Sequence, residues 1–179
     1  EMGLMFHQSE FNQPIGEWDV SSVKSMGHMF WISKFNQPLN NWDVSNVSDM
    51  NSMFSSASIF NQSIDKWNVS KVTNMTAMFA NATNFNQFIG NWNVSNVTKM
   101  DYMFNKASSF NQPLDKWNVS NVISLYYMFY QASSFNQPIN NWDVSNVTAM
   151  TSMFEDATAF NQPLDSWDVS NVQIINRMF

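Results

Sequence analysis

The stretch 39–62, LNNWDVSNVSDMNSMFSSASIFNQ, decides the fold because it returns along the whole chain. Phe-Asn-Gln begins at Phe11, Phe35, Phe60, Phe85, Phe110, Phe135 and Phe160, spaced by 24 residues once and by 25 thereafter. Trp18, Trp42, Trp67, Trp92, Trp117, Trp142 and Trp167 keep the same step, each inside Trp-[Asp/Asn]-Val-Ser. Met-Phe closes every unit from Met5-Phe6 to Met178-Phe179, and all 14 methionines fall on two repeat positions. Departures stay within chemical class, as where Leu125 and Ile175 replace Met. A period of this length marks a repeat architecture in which each unit buries its apolar face only against its neighbours.

Within the quoted unit, Trp42 and Val44 alternate with Asn41, Asp43 and Ser45, the period of a short strand with one buried face. From Val47 the step changes. Val47, Met50, Met53, Phe54 and Ala57 follow at intervals that suit a helical face, with Ser45 or Asn46 placed as its cap. Phe60-Asn61-Gln62 forms the turn, and the Pro that usually follows, such as Pro38, ends any helical continuation. The expected fold is therefore an α/β repeat solenoid of about seven coils over residues 1–179. Each coil of 24–25 residues has one short parallel strand and one short helix or 3-10 segment. The chain starts and stops inside a repeat, which reads as a fragment of a longer array.

Leu39-x-x-Trp42-x-Val44-x-x-Val47-x-x-Met50 has the form of a leucine-rich repeat, with Trp and Val in leucine positions. More narrowly, Trp-Asp-Val-Ser-Asn-Val-Thr-x-Met-x-x-Met-Phe followed by Phe-Asn-Gln-Pro-Leu resembles the BspA-like leucine-rich repeat surface proteins. That resemblance implies a bacterial cell-surface or extracellular adhesion module. Its partner would be a protein, such as a host matrix protein or another surface protein, and it would be non-catalytic. A structural spacer without a specific ligand is the alternative, and glycan binding through an amide-rich face is a weaker one.

Composition narrows the classes. Hydrophobic residues make up 44%, aromatic residues 16% and charged residues only 12%, so polarity comes from Asn, Ser, Gln and Thr. The formal charge of −6 and eight scattered cations argue against nucleic acid, whose phosphates need clustered Lys and Arg. No apolar run is long enough for a spanning helix, so no membrane insertion is expected. There is no cysteine, and the two histidines, His7 and His28, lack a partner at catalytic spacing. An enzyme, a cofactor and a metal are not expected; the paired methionines read as core filling against aromatic rings.

Two surfaces are candidate binding sites. One is the strand face, formed by the variable column Glu17, Asn41, Lys66, Asn91, Lys116, Asn141 and Ser166. Beside it runs the uniform column Asp19, Asp43, Asn68, Asn93, Asn118, Asp143 and Asp168, read partly as helix-positioning caps. The other is an aromatic patch of Tyr102, Tyr126, Tyr127 and Tyr130, where other coils carry small polar residues. A third column, Asn12, Asn36, Asn61, Asn86, Asn111, Asn136 and Asn161, recurs at a turn with backbone groups to satisfy and is expected to form an internal amide ladder.

Overall fold

The computed structural model describes all of residues 1–179, and in it the repeats stack as six whole coils, 15–38, 39–63, 64–88, 89–113, 114–138 and 139–163, between partial coils 1–14 and 164–179. The expected strand and helix are both absent. No segment is helical, and regular pairing is limited to five isolated parallel bridges: Ser25 with Asp49, Asp49 with Asn74, Asn74 with Lys99, Ser124 with Ala149, and Ala149 with Ile174. The α/β solenoid assignment is therefore corrected. The bridging position lies just before the first Met, and Trp-x-Val, the strand of the leucine-rich repeat analogy, forms no bridge.

What replaces the helix is a run of tight turns whose N–H groups alternate between two destinations. Met53, Ser55 and Ala57 donate within their own coil to the carbonyls of Met50, Ser52 and Phe54, at 3.2, 3.1 and 3.0 Å. Met50, Ser52, Phe54 and Ser56 donate instead to Asn74, Thr76, Met78 and Ala80 of the next coil, at 3.0, 2.8, 2.9 and 2.6 Å. An α-helix would spend these N–H groups on carbonyls four residues back along its own axis. Here half of them join neighbouring coils. Inward spacing is unchanged, because turns with i to i+3 bonds also bring Met50, Met53, Phe54 and Ala57 to one side, where all four are buried.

The alternation demands left-handed backbone. Two columns carry it: Leu4, His28, Ser52, Ala77, Tyr102, Tyr127, Ser152 and Arg177 immediately before the second Met, and Gln8, Ile32, Ser56, Asn81, Lys106, Gln131 and Asp156 two residues after the Phe. Their φ values run from 51° to 61°, and none of the 15 is glycine. Ser52 and Ser56 each occupy the third position of a turn, where a type II geometry requires positive φ.

Side chains complete the stack. One cluster of 52 buried apolar residues runs the length of the chain. Phe30, Phe54, Phe79, Phe104, Phe129 and Phe154 lie ring over ring at 5.4 to 5.8 Å. The Phe-Asn-Gln rings form a second column, as between Phe85 and Phe110 at 6.0 Å. Trp67 and Trp92 stack at 6.3 Å in a third. Six indoles, from Trp42 to Trp167, each donate Nε1–H to a carbonyl of the preceding coil at 2.9 to 3.1 Å. Trp18 has no such bond and is 44% exposed.

The single 24-residue step has a local cause. Between Phe30 and Phe35 the loop is one residue shorter than between Phe54 and Phe60. The buried Ser33 hydroxyl accepts the Phe35 N–H at 3.1 Å, where the longer loop uses the Ala57 carbonyl for Phe60 at 3.0 Å. One side-chain oxygen stands in for a backbone turn.

Candidate binding surfaces

The uniform Asp/Asn column serves its own coil. Asp43 Oδ1 accepts the backbone N–H of Ser45 at 3.0 Å, and the same bond recurs from Ser21 to Asp19, Ser70 to Asn68, Ser95 to Asn93, Ser120 to Asn118, Ser145 to Asp143 and Ser170 to Asp168. The column holds a two-residue side-chain turn open, since there is no helix to cap. At Asp19, Asp43, Asp143 and Asp168 the Ser hydroxyl and then the Ser N–H hold the carboxyl below its ordinary value of 3.8. Both groups favour the charged form by bonding to it.

The variable column is tied partly to neighbouring coils. Asn41 donates to Glu17 at 3.3 Å, Lys116 to Asn91 Oδ1 at 3.5 Å, and Asn141 to the Asp115 carbonyl at 2.5 Å. Ser166 accepts from Asn140 at 3.1 Å. The Lys66 ammonium makes no bond and is exposed, leaving one free cation in the column.

The amide ladder is present. Asn36, Asn61, Asn86, Asn111, Asn136 and Asn161 each donate their backbone N–H to the Oδ1 of the preceding Asn at 2.8 to 3.0 Å. The Gln that follows donates to the same oxygen, as Gln137 does to Asn111 at 2.9 Å. The Oδ1 atoms are spent inside the stack.

The four tyrosines come together. Tyr102 and Tyr127 stack at 5.3 Å, Tyr126 lies edge-on to Tyr102 at 5.4 Å, and Tyr130 lies 5.1 Å from Tyr127. Lys106 sits over the Tyr130 ring at 6.0 Å, and Gln131 donates to the Tyr130 hydroxyl at 3.0 Å. Desolvation first, and then the neighbouring tyrosines, push the Tyr102 hydroxyl up to about 12. The cluster spans the one gap in the bridge column, between Lys99 and Ser124. Across that gap Asp101 Oδ1 accepts Ser124 Oγ at 2.5 Å and the Tyr126 N–H at 3.0 Å.

A second aromatic group, not singled out in the sequence, lies toward the other end of the same turn face. Trp31 is the one tryptophan outside the repeat column; His7 stacks on it at 4.6 Å and His28 meets its edge at 5.3 Å. The signal was available as a Trp at a position that other coils fill with Ser55, Ala80 or Asn105. No set of three or more His, Asp or Glu side chains is placed to hold a metal ion, and no helix is long and apolar enough to cross a membrane.

A family model described as Mycoplasma protein of unknown function, DUF285, matches residues 1–113 and again residues 87–179. The chain belongs to this family. Two overlapping matches register the internal repetition of a DUF285 chain. They support the repeat-family reading without narrowing it to the BspA-like proteins. No curated protein and no solved structure matches this DUF285 chain.

Proposed function

We propose that this chain is a non-catalytic binding module of a bacterial surface protein, an adhesive stack that engages a protein partner through its tyrosine-bearing turn face. The observation that carries the reading is the contiguous cluster of Tyr102, Tyr126, Tyr127 and Tyr130, with Tyr102 exposed. Tyr combines a large apolar ring with a polar tip and is enriched in protein interfaces. The likeness of the repeat to BspA-like proteins supports a cell-surface or extracellular location. The variable column around Lys66 is the second candidate face, favoured by its free cation.

The experiment is a binding screen of immobilised matrix proteins against the chain, with two double variants. Tyr126→Ala with Tyr130→Ala is expected to raise the off-rate at least tenfold, whereas Lys66→Glu with Lys116→Glu changes on-rate and salt dependence only modestly. No binding at micromolar concentration would favour the spacer reading. Loss of affinity in the lysine variant alone would move the site to the variable column.

A further inference from the structure

The chain has one cavity, of about 510 Å³, lined by Pro14, Gly16, Glu17 and Trp18 of one turn and by Pro38 and Asn41 of the next. Gly16 accounts for its place. The same repeat position carries Asn40, Asp65, Asp115, Asn140 or Asp165 in other coils, and glycine returns only at Gly90. The two glycines share a backbone setting: a Cβ on Gly16 would lie 2.8 Å from the Pro38 carbonyl oxygen, and one on Gly90 would lie 2.6 Å from that of Pro113. They differ in what covers them. At Gly90 the Phe88 ring closes the position, its Cε2 and Cζ 2.9 and 3.2 Å from the same point, so Gly90 is buried and no cavity forms there. Before Gly16 the residue in the place of Phe88 is Pro14, none of whose atoms comes within 4 Å, and Gly16 stays partly exposed. Gly90 therefore displays, within the same chain, the group that fits over such a glycine.

The rim of the open cavity is acidic. Glu17 is exposed and carries the only charge among the lining residues. Its Oε1 accepts the Asn41 amide at 3.3 Å, and its Oε2 has no partner in the chain. Trp18 is 44% exposed, and its indole N–H lacks the carbonyl that each of the six indoles from Trp42 to Trp167 finds. The exposed rings of Pro14 and Pro38 add apolar sides. A cavity of ~150 Å³ already holds a benzene ring, so this one has room for the residues that flank a ring as well.

We propose that this cavity takes an aromatic side chain from a basic peptide segment of a protein partner. The ring lies on Gly16 as Phe88 lies on Gly90, a Lys or Arg beside it pairs with Glu17, and the Trp18 N–H donates to a peptide carbonyl. The site does not rest on the tyrosine cluster, which belongs to coils 89–113 and 114–138.

The test is calorimetric titration of the chain with three capped pentapeptides, Gly-Lys-Phe-Lys-Gly, Gly-Lys-Ala-Lys-Gly and Gly-Glu-Phe-Glu-Gly, and with tyramine. The first peptide is expected to bind, and the other two at least tenfold more weakly. Pro14→Phe installs the ring that Phe88 supplies at Gly90 and should weaken the first peptide at least tenfold with the melting temperature unchanged. Glu17→Lys, in a column that already carries Lys66 and Lys116, should reverse the preference toward Gly-Glu-Phe-Glu-Gly, and it decides the matter if Pro14→Phe does not fold. Tyr126→Ala with Tyr130→Ala should bind the first peptide as the parent chain does, so this site and the tyrosine face fail or stand separately. No binding at millimolar peptide, equal binding of the Ala peptide, binding that persists in folded Pro14→Phe, an unchanged preference in Glu17→Lys, or tyramine binding as tightly as the first peptide would overturn the proposal.

Discussion

The Nε1–H of Trp67 donates to the carbonyl oxygen of Leu39 at 2.9 Å, reaching 28 residues back into the preceding coil. The same oxygen accepts the backbone N–H of Trp42 at 3.0 Å, so one carbonyl closes a turn in its own coil and anchors the next. Trp67→Phe keeps most of the ring and deletes the indole donor. It is expected to cost about 1 kcal/mol, the net value of a buried hydrogen bond. Trp92→Ala, which also empties the stacked column, should cost about 3–5 kcal/mol. Urea unfolding of the two variants measures both; a loss below about 1 kcal/mol for Trp92→Ala would contradict the buried column.

Ile32 holds a β-branched side chain at a φ of 56° and leaves 41% of it exposed. Left-handed backbone costs such a residue about 1–2 kcal/mol, so removing Cβ relieves more strain than the small burial it forfeits. Ile32→Gly is expected to stabilise the chain by up to about 1 kcal/mol after the added entropy of glycine in the unfolded state. Ile32→Pro loses the N–H bonded to the Ser55 carbonyl at 2.9 Å and forces negative φ. It should destabilise strongly. Thermal melts of the pair give opposite signs.

Asn111 Oδ1 accepts both the Asn136 N–H and the Gln137 amide at 2.9 Å. Asn111→Ala strands the Asn136 N–H and should cost about 1–3 kcal/mol, whereas Asn111→Asp keeps an acceptor and should cost less. Equal losses in a denaturant titration would assign the column to packing alone.

Asp19, Asp43, Asp143 and Asp168 have carboxyl groups held below their ordinary 3.8 by the Ser hydroxyl and then the Ser N–H. A depressed folded-state value means that their contribution is present above pH 3.8 and fades as pH falls through the lower folded value. Stability should therefore drop on acidification below about pH 4. The variant with all four changed to Asn should lose less over that interval, since Asn68, Asn93 and Asn118 make the same turn without a titrating group. Melting temperatures at pH 5 and pH 2.5 provide the comparison.

The columns were readable in the sequence because each demands one chemistry: Trp42 and Phe54 must fill the interior, and Asn61 must satisfy a backbone donor beside it. The local backbone was not. Met50, Met53, Phe54 and Ala57 have the same inward spacing whether their N–H groups bond along a helix or alternate between coils. Positive φ usually announces itself through glycine, yet Ser52, Ala77 and Lys106 adopt it with no such flag. The bridging column was equally silent, since Ser25, Asp49, Asn74, Ser124 and Ala149 share a backbone role and no side-chain requirement. The tyrosine cluster was legible as a break in the pattern.

The loop between Phe30 and Phe35 is a residue shorter than those of the later coils, yet Phe35 and Phe54 both stack on Phe30, at 4.4 and 5.4 Å. Length can therefore change in that loop without moving the coils that follow. This marks it as the natural splice point of the array. A guest peptide grafted between Phe104 and Phe110 would be carried outside the stack, while the same graft between Trp117 and Val122 would push every later indole off its carbonyl.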